Sequence, residues 1–155
     1  MQQRVPLKDQ KKQKKYYSGK HKHHSLKAQV MMDVSSGKVL TTRFCKGAKH
    51  DFALFKESTI PIQEETWYVA DSGYQGLKNY HAQCYLPNKK PKNKPLPEEH
   101  AKENSAIASF RIKVEHVIRS LKIWRILKET YRNRRKRYSL RFNLIAAIFN
   151  SELEA

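Results

Sequence analysis

Acidic residues are scarce in this sequence. Its 155 residues hold 14 Asp and Glu against 32 Lys and Arg, a formal net charge of +18. An excess of that size favours a polyanionic partner, because basic side chains neutralise phosphates and release condensed counterions. Nucleic acid leads that class. A ribosome-associated or chaperone-like basic protein and a membrane-surface binder carry similar charge. Cysteine is scarcer still. Cys45 and Cys84 stand in no metal-ligand spacing, which excludes a cysteine-based zinc site, and two reduced thiols suit a cytosolic chain. No apolar run approaches the ~20 residues that a membrane span needs. The first residues lack the apolar core of a signal peptide. The expectation is a soluble, cytoplasmic protein. The apolar content of 39% suffices for a modest core in one domain, or most of one.

Residues 1–24 are basic and polar with almost no apolar periodicity, and Lys11–Lys15 reads as a solvated tail or a phosphate-contacting arm. The domain proper is expected over 25–155. Ser25–Val34 and Lys38–Gly47 are rich in apolar, β-branched and aromatic residues, and the Ser-Ser-Gly between them predicts an antiparallel hairpin. His50–Ser58 places Phe52, Leu54 and Phe55 at near-helical spacing. Thr66–Asp71 predicts a short buried strand, followed by a turn with a short helix and a second short strand at Cys84–Pro87. The Pro-rich, basic stretch after Pro87 is a loop. From His100 the residues Ile107, Phe110, Val114, Val117, Leu121 and Trp124 recur at steps of three and four, which predicts a long helix. Tyr131–Ser139 is a charged connector, and Leu140–Leu153 a last apolar helix. The order β-β-α-β-α-β-α-α makes an α/β class. Trp67 and Trp124 are expected in the core.

Against this scarcity of acids, two positions stand out. Asp71 leaves the predicted strand in "VADSGYQG", where it can cap the next element or hold a metal. On the long helix, at about 100° per residue, Asn104, Arg111, Glu115 and Lys122 fall within roughly 40° of one another, beside the apolar face. A stripe there can reach a cleft while its helix is anchored by packing. Equally, Arg111 and Glu115 are four residues apart and can form an ordinary surface ion pair. Two carboxylates from different elements can clamp divalent ions, and a two-metal site with ions ~3.5–4 Å apart cleaves phosphodiesters. Mg2+ accepts carboxylates, water and phosphate oxygens together.

Asp71–Gly76, "DSGYQG", followed by Asn104–Lys122, "NSAIASFRIKVEHVIRSLK", resembles the second and third acidic motifs of DDE-type insertion-sequence transposases of the Harbinger-like DDE superfamily endonuclease branch. Arg111, Glu115 and Lys122 fit the third motif: Arg, three residues, Glu, six residues, Lys. "YYSGKHKHHSLKAQV" (Tyr16–Val30), "GAKHDFALFKES" (Gly47–Ser58) and "RFNLIAAIFN" (Arg141–Asn150) are also similar to segments of that family, so the resemblance runs from about Arg4 to the C-terminus. It implies an RNase H-like core, a mixed sheet with flanking helices. It implies Asp71 and Glu115 as catalytic metal ligands, and a two-ion Mg2+ or Mn2+ site in the complete domain. Arg111, Lys122, Lys20 and Lys22 become phosphate contacts, and double-stranded DNA at transposon ends and targets becomes the partner. Self-association in a synaptic complex and a place at the bacterial nucleoid follow from the same likeness.

The family's first acid lies on the first strand, a few residues ahead of the "RVPL" region. "MQQR" holds no acid, Asp9 lies among lysines past the expected place, and Asp33 reads as a turn residue. The expectation is therefore the C-terminal part of a transposase, N-terminally truncated, with the first strand missing. It would come from a truncated gene or the second frame of a frameshifted element, with little strand-transfer activity on its own. An inactive remnant that only binds DNA is the alternative. Of the remaining residues, Asp51 is expected to cap its helix or to approach the cleft. Tyr74 is expected to pack in the core or stack on DNA, and His21, His23 and His24 to contact phosphate or solvent.

Overall fold

The computed structural model describes residues 2–6, 16–18, 22–57, 63, 65–93, 95–133 and 135–154. The expected hairpin forms from β3 (His23–Met32) and β4 (Val39–Lys46), antiparallel, with Leu26 opposite Lys46 and Val30 opposite Thr42. Its turn is made by Asp33. The carboxylate accepts hydrogen bonds from the Ser35 amide at 3.2 Å and the Ser36 amide at 2.9 Å. Gly37 closes the turn with φ +75°, a conformation open to glycine because it has no Cβ. Hydrogen bonds from the Ser35 and Ser36 side chains and backbone hold the Asp33 carboxyl well below the usual carboxylate range.

Two strands precede the hairpin. β1 (Gln2–Pro6) runs antiparallel along the other side of β3, with Gln2 opposite Gln29 and Pro6 opposite Ser25. β2 (Tyr17–Ser18) adds a short pairing against His23 and His24. β1 lies in the stretch read from sequence as basic and polar. Among its described side chains only Val5 is fully buried, so a strand with one core residue leaves no alternation to see. β3 is the opposite case. Ser25 to Val30 are all buried in succession, as expected of a central strand covered on both faces.

The rest alternates short strands and helices. α1 (Asp51–Glu57) is followed by β5 (Tyr68–Val69), a 3-10 helix over Ser72–Asn79, and β6 (Cys84–Tyr85), which pairs with β5 in parallel. Then come α2 (Glu98–Leu121), α3 (Arg125–Lys128), a 3-10 turn at Arg135–Arg137, and α4 (Tyr138–Glu152). The α/β class and the mixed architecture follow the expectation; the two extra strands and α3 do not. No described helix is long and apolar enough to cross a membrane.

Two cores hold these elements. In the larger, Val5, Ala28 and Val30 of the sheet meet Val117 and Leu121 of α2, Leu127, and Phe142 and Ile145 of α4. In the smaller, Phe55 of α1 packs on Tyr74, Leu77, Cys84 and Leu86. Neither tryptophan belongs to them. Trp67 is 57% exposed and Trp124 47% exposed. Trp67 stacks on Tyr85 from the neighbouring strand, with ring centroids 4.9 Å apart. Trp124 lies beyond the end of α2, where the helical phase that placed it on the apolar face no longer holds. At the hairpin end, Asn150 of α4 accepts from the Val39 amide at 2.8 Å and donates to the Val39 carbonyl at 2.9 Å.

Candidate active site

Asp71 sits where β5 ends and the 3-10 helix begins. Its side chain accepts a hydrogen bond from the Ser72 amide at 2.7 Å, and its carbonyl accepts from the Tyr74 amide at 2.9 Å. It therefore does cap the following turn, while its carboxylate stays 42% exposed. Two glycines bring that turn against α1. A Cβ on Gly76 would lie 2.3 Å from the Phe52 ring, and one on Gly73 would lie 3.5 Å from the Asp51 carboxylate. The first approach is too close for any side chain; the second is ordinary contact.

Glu115 comes from the C-terminal third of α2. The Arg111 guanidinium, one turn earlier, lies between the two acids: 3.7 Å from the Asp71 carboxylate and 4.0 Å from that of Glu115. The expected surface ion pair forms, and the same arginine also reaches a carboxylate from a second element. At these exposures each contact contributes only roughly 0–1 kcal/mol, so the grouping is fixed by the elements and not by the charges. Asn104 extends the same stripe, accepting from the Asn88 amide at 2.7 Å and donating to the Asn88 carbonyl at 3.0 Å. Lys122 caps the C-terminus of α2, about 10 Å along the axis from Glu115 at 1.5 Å per residue.

Beside these groups opens a cleft of about 520 Å³, bordered by Gln29–Val34 of the β3 end, by Thr66–Asp71, and by Phe110, Arg111 and Val114 of α2. Tyr74 reaches its floor but is 4% exposed and packs edge-on to Phe55, so packing is its role here. Lys22 is exposed in a left-handed turn residue at φ 52°. His24 makes an edge contact with Tyr17. Lys20, His21, Asp9 and Lys11–Lys15 lie outside the described residues. Among the described residues no group of three His, Cys, Asp or Glu could hold a metal ion. Two carboxylates bridged by a single cation nevertheless have the donor chemistry a hard divalent ion takes.

Asp51 is not a helix cap. It is the first residue of α1, and its carboxylate turns into the protein to meet the Lys27 ammonium at 2.5 Å, with Arg4 at 3.9 Å. Lys27 is 1% exposed in the central strand and also donates to the Lys49 carbonyl. This cluster backs the Asp71 turn and was missed in the sequence. The one signal was a lysine inside the apolar run "SLKAQVMM".

Residues 3–150 match the family model described as DDE superfamily endonuclease. The chain belongs to that family. It is 45% identical over 143 residues to a protein of Microchaete diplosiphon described as "Probable transposase for insertion sequence element IS702", an alignment covering 92% of this chain and 52% of that protein. The chain thus spans about half the length of the curated relative it matches. No solved structure matches it. Members of this superfamily generally use divalent metal ions.

Proposed function

We propose that this chain is part of the catalytic domain of a DNA transposase with an RNase H-like core, acting at insertion-sequence ends by metal-dependent phosphodiester hydrolysis and strand transfer. The observation that carries the reading is the convergence of Asp71 and Glu115 on one guanidinium. In this reading Asp71 and Glu115 hold Mg2+ or Mn2+. The bound ions would polarise the scissile phosphate and lower the pKa of the attacking water. Arg111, Lys122, Lys22 and Lys20 contact DNA phosphates, with Arg111 exchanging carboxylate for phosphate as substrate enters.

The register of β1 supports the place of the first acid. Gln2 stands opposite Gln29, but β3 runs on to Met32. Chain continued upstream of Gln2 would pass antiparallel to β3, through the cleft between the β3 end and Thr66–Asp71. A carboxylate carried there would arrive beside Asp71. The alternative reading is an inactive remnant that only binds DNA.

The test is Mg2+-dependent nicking of supercoiled DNA carrying the element's ends. It compares the chain alone with a variant whose β1 is extended upstream by an acid-bearing strand. Cleavage by the extended protein that Asp71→Asn or Glu115→Gln each lowers at least a hundredfold supports the transposase reading. No cleavage in either form, with DNA binding retained, supports the remnant. Full activity in the short chain would refute the need for a third acid.

A further inference from the structure

The connector between α3 and α4 carries positive charge that no carboxylate answers among the described residues. Lys46 at the end of β4 and Arg135 both lie over the Tyr16 ring, at 5.7 and 4.6 Å from its centroid. Arg132, Lys136 and Arg137 are exposed on the same connector. Among the described residues none of these five has a carboxylate in ion-pair contact. The nearby Glu129 is held by Arg125 at 2.8 Å. Both ends of the connector are held: Tyr131 is 3% exposed and its amide donates to the Pro6 carbonyl at 2.7 Å, and Tyr138 is buried at the other end. Three cations in succession, Arg135 to Arg137, also precede the first turn of α4, which has no acid of its own. The positive end of the helix dipole makes that arrangement unfavourable without an external anion. Clustered cations without carboxylate partners among the described residues are a phosphate-backbone footprint.

We infer that Lys46 and Arg135, gathered at Tyr16, together with the exposed Arg132, Lys136 and Arg137 of the connector, form a contact surface for the phosphate backbone of duplex DNA, separate from the Asp71–Glu115 site. The inference rests on the transposase reading for the identity of the polyanion, and adds where the duplex runs. Thr41 lines the cleft and Lys46 lies five residues further along β4, so the surface is about 17 Å away at 3.3 Å per residue. At 3.4 Å per base pair that is about five base pairs. A duplex leaving the cleft at its Thr41 edge and running along β4 therefore meets the Lys46 side of this surface roughly half a helical turn away. The contacts are to phosphates and carry register, not sequence.

The test uses exposed side chains, so folding is not at stake. Binding of a labelled duplex is followed across a salt series for the wild type, for Arg132→Gln/Lys136→Gln/Arg137→Gln, and for a control, Lys89→Gln/Lys90→Gln/Lys92→Gln. The control removes the same charge from the loop before α2. The connector variant should bind roughly tenfold or more weakly at low salt, with a log–log salt slope shallower by about 2–3, near 0.9 per lost phosphate contact. The control should change the slope by less than about 1. Equal effects in both variants, or an unchanged slope in the connector variant, would overturn the surface. If Asp71-dependent cleavage persisted in that case, the transposase reading would stand. Wild-type protein with no duplex affinity would sink both.

Discussion

Replacing Asp51 by Asn should destabilise this protein far more than an ordinary half-exposed acid would. The change leaves the Lys27 ammonium, 1% exposed, with the Lys49 carbonyl as its remaining close partner. Removing one member of a buried ion pair costs about 3–5 kcal/mol when both are fully buried. Here the Asp51 side chain is 30% exposed, so water supplies part of the lost solvation. The expected cost is about 2–3 kcal/mol, a fall in Tm of roughly 4–12 °C for a chain of this size. Lys27→Met removes the buried charge, so Lys27→Met/Asp51→Asn should recover most of that loss, as replacement of buried ions by apolar groups commonly does. Urea unfolding of the four proteins, followed by tryptophan fluorescence and circular dichroism, measures both steps. A cost below about 0.5 kcal/mol for Asp51→Asn, the scale of ordinary surface substitutions, would refute the buried-charge account. So would a double variant no more stable than Asp51→Asn alone.

Tyr138 is 1% exposed and its hydroxyl has no hydrogen-bond partner in the described structure. Tyr138→Phe removes an unsatisfied polar atom, so stability should rise by about 1 kcal/mol in urea unfolding. Burial also raises the Tyr138 pKa. A raised phenol favours the protonated folded state, so its contribution is complete below the unfolded value of about 10 and is lost as pH climbs above it. Alkaline unfolding between pH 10 and 12 should be less steep in Tyr138→Phe, read by circular dichroism. Gly76→Ala puts a Cβ 2.3 Å from the Phe52 ring. The clash should cost about 1–3 kcal/mol by thermal melting, and adding Phe52→Leu should return part of it.

Much of this architecture was legible because periodicity reports burial. α2 showed itself through Ile107, Val117 and Leu121, all buried, and its polar stripe indeed lies at the core boundary beside Asp71. The hairpin was legible through Asp33 and Gly37, whose turn chemistry is local. What escaped was decided by tertiary context. β1 contributes Val5 among two glutamines, an arginine and a proline, so nothing in its composition separates it from a tail. Trp67 belongs to the two-residue-strand region, too short for alternation to say which way a ring points. Asp51 stands at a helix start, where local rules favour a cap, but a buried lysine on a distant strand competes for its carboxylate. The motif residues Asp71, Arg111 and Glu115 were found as a set, and the structure brings them together; the connector's cations were legible only as charge, without the tyrosine that brings Arg135 to Lys46 of β4.

The two hydrogen bonds between the Asn150 side chain and Val39 have a consequence for solubility. A carboxamide bonding both polar groups of one strand residue imitates an adjacent strand. It blunts the outer rim of β4 just where Leu40, 62% exposed, would make a sticky template for another copy. Thr42 adds a second such tie, its hydroxyl donating to Asn143 at 2.5 Å. The terminal helix thus acts as a guard against self-templated polymerisation, and clipping the chain ahead of Asn143 would leave the sheet open to it.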